Sequence, residues 1–152
     1  MSKMILCPTR GGKDSYPNQD RAVALAKERG VELLFVYITN VEFLDLTAAP
    51  KLIDIEHEID EMGEFMLAMA QERAEQAGVS ASTLVKHGHF HEVLIEVIGE
   101  YKIGTVVLGS SAGETGVVTA SYVQDLMDEI GGKTGVEFIV LDQGEIVKTY
   151  KP

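Results

Sequence analysis

The sequence predicts an α/β domain, a parallel sheet with helices on both faces. Short apolar runs alternate with longer stretches of helical period, in the order β-α-β-α-β-α-β-α-β. That alternation calls for crossover connections, which are right-handed and place successive strands parallel. Glycines punctuate the segments, as they do at helix ends and strand exits.

The elements follow in order. Met4 to Cys7 is the first strand, ending at Pro8 and the polar cluster Thr9 to Ser15. Ala22, Val23, Leu25 and Ala26 mark a first helix that stops at Gly30. Glu32 to Ile38 is a continuous apolar run, read as strand two. Residues 39–52, with Pro50, read as an irregular connection. A long helix follows from about Ile53 to Ala77, stopped by Gly78. Ile55, Ile59, Met62, Met66 and Met69 recur every three or four residues, which predicts one stripe facing the sheet. Gly63 is a mild weakness within that helix.

Ser82 to His87 is strand three. Phe90, Val93, Leu94, Val97 and Ile98 mark the third helix. Thr105 to Leu108 is a buried fourth strand that runs into Gly109-Ser-Ser. Tyr122, Val123, Leu126, Met127 and Ile130 mark the fourth helix, with Ser121 and Gln124 as its capping box and Gly131-Gly132 as its end. Val136 to Leu141 is strand five, and Glu145 to Tyr150 returns after Gly144 as a short antiparallel edge strand. The chain reads as a single domain over residues 1–152, without repeat or linker.

Composition excludes several function classes. The chain carries 24 acidic and 13 basic residues, a formal charge of −11. Nucleic-acid binding needs a basic face, and docking on anionic lipid needs the same. One cysteine, Cys7, leaves no internal disulfide and no multi-cysteine metal site. No run of 18 apolar residues and no signal-peptide pattern is present, so the expected location is the cytoplasm.

Ligands of such sheets sit at the carboxyl ends of the strands, where the strand order reverses. Two loops there have a suitable composition. Thr9-Arg-Gly-Gly-Lys-Asp-Ser15 follows strand one, and Gly109-Ser-Ser-Ala-Gly-Glu-Thr-Gly116 follows strand four. Reversal between strands one and four would set them face to face. Glycine lets backbone N–H groups approach an anion, and helix N-termini favour phosphate. Thr9, Ser110, Ser111 and Ser121 supply hydroxyls, and Arg10 a bidentate guanidinium. Strand-to-helix turns use the same residue types for purely structural reasons.

Other motifs carry less. Gly132-Lys133-Thr134 resembles a P-loop end, but Met127 stands where the first glycine is required and the segment runs helix to strand. His87, His89 and His91 alternate at a strand exit, where their side chains should diverge rather than converge on a metal. His87 and His89 remain available to line an adenine pocket. Cys7 reads as a small core residue. The carboxylates of the long helix read as a solvated face, and its methionines as core or partner-facing filler.

The residues resemble the universal stress protein family along essentially the whole chain. Met4-Ile-Leu-Cys-Pro-Thr9, Ala22 to Tyr37, Val85-Lys-His-Gly88 with Val93-Leu-Ile95, and Gly104-Thr-Val-Val-Leu-Gly-Ser110 carry the likeness. The resemblance implies a three-layer α/β/α, Rossmann-like fold of the adenine nucleotide alpha hydrolase type, with a five-stranded sheet of order 3-2-1-4-5. It also implies a homodimer and binding of ATP or AMP. The nucleotide motif is degenerate. Arg10 replaces the aspartate that ends strand one, the second glycine after strand four is displaced to Gly113, and Ala120-Ser121 stands where Gly-Ser is usual.

The implied function is a regulatory stress-response module, without turnover, that binds an adenine nucleotide or a phosphate anion. Thr9, Arg10, Gly11, Gly12, Gly109, Ser110, Ser111, Gly113 and Ser121 are expected at the phosphates, and Ile38, Val41, Val85 and Gly88 at the base. Dimerisation is expected through strand five and the tail from Glu145 to Lys151. Two alternatives stay open. One is an interaction module that works without nucleotide. The other is a small ATP-hydrolysing enzyme with magnesium, because Gly11 to Ser15 also resembles the loop of PP-loop pyrophosphatases and Asp14 would face the metal.

Overall fold

Alternate residues of each central strand are buried in opposite directions, and this builds two cores from one sheet. A computed structural model of the chain describes residues 3–9, 13–39, 49–109 and 120–151. Its strands are β1 (Met4–Pro8), β2 (Leu33–Thr39), β3 (Ala81–His87), β4 (Ile103–Gly109), β5 (Glu137–Asp142) and β6 (Glu145–Tyr150). Its helices are α1 (Tyr16–Arg29), α2 (Ala49–Gln76), α3 (Phe90–Glu100) and α4 (Ala120–Thr134). The sheet order is β3-β2-β1-β4-β5-β6, parallel throughout except for β6. The expected order 3-2-1-4-5 and the antiparallel return are both present.

Leu6, Val106, Leu108, Phe138 and Val140 point toward α3 and α4. Ile5, Cys7, Phe35, Val107 and Ile139 point toward α1 and α2. Both faces being covered explains why the strands read as continuous apolar runs. Among the described residues, no helix is long and apolar enough to cross a membrane.

Four local expectations change. First, α2 starts at Ala49, so residues 49–52 are helical rather than irregular. Pro50 is tolerated there because first-turn N–H groups have no intrahelical acceptor. Second, the face of α2 on the sheet is Gly63, Leu67, Ala70 and Ala74, whereas Met62 and Met69 are exposed and Ile59 and Met66 only half-buried. Small residues let this helix sit close to the strands. A Cβ at Gly63 would fall 2.8 Å from Cε2 of Tyr37. Third, α4 runs through Gly131-Gly132 to Thr134, and Gly135 closes the turn with a φ of 76°. Gly131 serves a close approach instead, because Tyr150 lies where its side chain would be. Ser121 lies inside α4, which begins at Ala120, rather than capping it.

Fourth, β5 is not an edge. It pairs with β4 on one side and with β6 on the other, so its backbone groups are engaged in both directions. Of the expected dimer surface, strand five itself therefore offers no free edge, and the tail from Glu145 to Lys151 does. The outer edge is β6, and the register shift opposite Val140 and Leu141 leaves Val147 as a bulge within it. Bulges and lysines such as Lys148 are common devices that discourage edge pairing.

A polar cluster ties the amino ends of the strands together. Arg29 Nη1 donates to Glu137 Oε1 at 2.8 Å and to Thr105 Oγ1 at 3.1 Å. Thr105 Oγ1 donates to the same carboxylate oxygen at 2.9 Å. Burial would raise the Glu137 carboxyl, but the hydrogen bonds from Arg29 and Thr105, with the charges of Arg29 and Lys151, hold it below its usual range.

Candidate functional site

The strand order turns between β1 and β4: β2 and β3 lie on one side, β5 and β6 on the other. The carboxyl ends of these two adjacent strands form the crevice where open α/β sheets hold ligands. Thr9 leaves β1 at this point and Gly109 ends β4.

Thr9 is held by a chain of polar groups. Its N–H donates to the Val36 carbonyl at 2.9 Å. Its Oγ1 accepts from Gln19 Nε2 at 2.8 Å. Gln19 is 2% exposed, a buried amide in the first turns of α1. Its Oε1 accepts in turn from Arg73 Nη1 at 2.8 Å. Arg73 also pairs with Asp20, and its guanidinium lies 4.0 Å from the Tyr16 ring centroid. A buried amide keeps both its ends satisfied in this way. The chain reaches from the end of β1 across α1 to the last turn of α2.

Gly109 matters for what it lacks. A Cβ there would lie 2.8 Å from Asn18 Nδ2. The Asn18 Oδ1 accepts from Gly144 N at 2.8 Å, so one side chain bridges the end of β4 and the turn between β5 and β6. Asp14, the expected metal-facing carboxylate, is exposed in the short 3-10 turn Lys13–Ser15.

A second group lies at the ends of β2 and β3. Thr39 pairs with His87 in the register, and Thr39 Oγ1 is 2.9 Å from His87 Nδ1. His87 Nε2 stands 3.1 Å from Asp60 Oδ1 and 3.2 Å from Oδ2. An ionised carboxylate only accepts, so in the neutral ring Nε2 carries the proton and Nδ1 accepts from the threonine hydroxyl. The hydrogen bond from His87 goes to Asp60 Oδ2, and Asp60 Oδ1 is closed to solvent and accepts none within the described residues. Gly88 follows with a φ of 131°, and its N–H donates to the Thr39 carbonyl at 2.9 Å.

Several expected site residues can be located. Thr9 and Gly109 lie at the switch point, and Gly88 at the β3 exit. Ile38 and Val85 are separated by the sheet: Ile38 packs with the α3–α4 core, Val85 with the α1–α2 core. Arg10, Gly11, Gly12, Val41, Ser110, Ser111 and Gly113 lie outside the described residues. Ser121 is in the first turn of α4, its side chain also outside the description. The three histidines do diverge: His87 turns to Asp60, His89 precedes α3, and His91 Nε2 lies 3.4 Å from Glu129. Among the described residues, no three His, Cys, Asp or Glu side chains are grouped to hold a metal.

Sequence reading missed Gln19, Asn18 and Asp60. Gln19 occupies a core-facing position of α1 and Asp60 stands among many carboxylates. Position 19 precedes Ala22, Val23 and Ala26 by three, four and seven residues, so the helical period marked it for the buried face.

Comparison with known proteins gives consistent results. The family model described as the universal stress protein family matches residues 1–127. A universal stress protein of Methanocaldococcus jannaschii is 28% identical over 116 residues, covering 76% of this chain and 68% of the relative. The solved structure of a universal stress protein family member from Burkholderia pseudomallei matches with a TM-score of 0.67 at 20% identity, over 92% of this chain and 94% of the other. A universal stress protein solved in complex with cAMP matches with a TM-score of 0.61 at 17% identity, over 93% of this chain and 97% of the other.

Proposed function

Because the chain belongs to the universal stress protein family, we propose that it is a cytoplasmic, homodimeric regulatory module that binds an adenine nucleotide, AMP or ATP, or a bare phosphate anion. The phosphates sit between the loops that leave β1 and β4, near Thr9, Arg10, Gly11, Gly12, Gly109, Ser110, Ser111, Gly113 and Ser121. The base lies toward the exits of β2 and β3, near Val41, Val85 and Gly88. The Thr39–His87 pair at the strand ends is a better candidate for the polar edge of the base than Ile38, which faces the other core.

The observation that carries this reading is the adjacency of Thr9 and Gly109 at the strand reversal, with Thr9 oriented from behind by a buried amide. The cAMP complex of a structural neighbour adds support for an adenine ligand. With a formal charge of −11, the overall field opposes an anion. The site therefore relies on local backbone N–H groups, hydroxyls and Arg10. Ligand occupancy acts by shifting a population of conformers.

Calorimetric titration with AMP, cAMP, ATP and inorganic phosphate, with and without magnesium, tests the reading. Saturable binding of an adenine nucleotide that weakens in Arg10→Ala and Thr9→Ala is expected. No heat change and no thermal shift at millimolar ligand would leave an interaction module that works without nucleotide.

A further inference from the structure

We propose that the outward face of α2 is a docking surface for a basic amphipathic helix of a partner protein. Met62, Phe65 and Met69 are 53%, 67% and 37% exposed. Their i, i+3, i+7 spacing lines them up along one stripe of the helix. This stripe is no leftover of the core, because Gly63, Leu67, Ala70 and Ala74 already face the sheet. Glu58 and Glu72 lie one heptad to either side of Phe65, so exposed carboxylates close both ends of the stripe. From Glu58 to Glu72 the face runs about 21 Å, the length of roughly four helical turns.

Charge selects the occupant. Between Lys51 and Arg73 the sequence contains no lysine or arginine, while Glu58, Glu61, Glu64 and Glu72 are exposed. Arg73 is drawn away into its contacts with Gln19, Asp20 and Tyr16. An apolar stripe with an acidic rim complements a helix that has large apolar anchors and flanking Lys or Arg. Methionine suits such a surface because its unbranched thioether adapts to differently shaped anchors. A second copy of this chain would set two acidic rims together, and an anionic membrane would meet the same repulsion.

The test uses a labelled designed peptide of about 18 residues, Leu and Lys in amphipathic helical pattern, and a Leu/Glu counterpart with the same apolar positions. Fluorescence anisotropy with the full chain should show binding of the Leu/Lys peptide that weakens as salt rises, and none of the Leu/Glu peptide. Phe65→Ser combined with Met69→Ser should weaken binding about tenfold or more, the scale of losing buried anchors. Ile146→Ser with Val147→Ser, the exposed apolar pair on β6, should leave it unchanged. Both double variants alter exposed side chains, and circular dichroism should show them folded. Equal binding to the Phe65/Met69 variant, or equal binding of both peptides, overturns the proposal. So does a concentration-dependent dimer in sedimentation that disappears in the same variant, which would assign the face to pairing of copies.

Discussion

The ring of Tyr37 on β2 fills the volume that a side chain at Gly63 on α2 would occupy. Substitution by alanine at this position therefore opposes two effects. Helix propensity favours alanine by about 1 kcal/mol. The new methyl meets a ring that is itself packed against the α1–α2 core, and overpacking of this kind costs about 1–3 kcal/mol. Gly63→Ala is expected to lower stability, whereas Gly132→Ala, which meets nothing within 4 Å in α4, should raise it. Thermal denaturation of the two variants checks the pair, and a gain for both would refute the close contact.

Gln19→Leu keeps the volume of a buried side chain but strips Thr9 Oγ1 of a donor and Arg73 of an acceptor. The expected loss of stability is about 1–2 kcal/mol. Adenine nucleotide affinity should fall as well, because Thr9 loses its orientation. Arg29→Ala, at the opposite end of the strands, should leave that affinity intact while also reducing stability. Chemical denaturation with parallel calorimetry separates the two effects.

Glu137 gives a pH-dependent prediction. Its carboxyl is held below the ordinary range once the hydrogen bonds from Arg29 and Thr105 outweigh burial. Its stabilising contribution is therefore complete above the unfolded-state value and is lost as pH falls through the lowered folded value. Glu137→Gln should cost about 1–2 kcal/mol at neutral pH. The gap between variant and wild type should close below about pH 4. Urea midpoints measured across that range follow it, and a gap that widens in acid would contradict the assignment.

Burial in β1 pushes the Cys7 thiol up to about 12. At pH 8 its thiolate is about one part in ten thousand. A thiol reagent should label the folded protein only at the rate of its opening, and label it fully in denaturant. Rapid native labelling would show that Cys7 is accessible.

Tyr150 anchors the outermost strand. Its ring meets Phe138 edge-on at 6.3 Å and lies against Gly131. Tyr150→Ala should cost about 1–3 kcal/mol, because the ring is only half-buried. It should also release β6 from β5, seen as faster amide exchange in Phe138 to Leu141. Unchanged protection there would mean that the backbone ladder alone holds the edge.

Much of this molecule was legible because its signals are local. Helical period, apolar runs and left-handed glycines such as Gly30 act within a few residues, so element identity and order could be read directly. The switch point followed from the strand order that the family resemblance implied. The α2 face was misread because periodicity marks the bulkiest apolar stripe, while the packed stripe is the one with the smallest residues. Ile38 and Val85 are each apolar and near a strand exit, and only the register Ile38↔Lys86 and Tyr37↔Val85 reveals that they lie on opposite faces.

By itself the sequence determined the α/β class and the succession of elements, because each depends on neighbours along the chain. Tertiary structure alone decided that α2 turns Met62, Phe65 and Met69 outward and that Gln19 ties Thr9 to Arg73. Those outcomes depend on which surfaces approach most closely, and close approach is set by atoms distant in sequence.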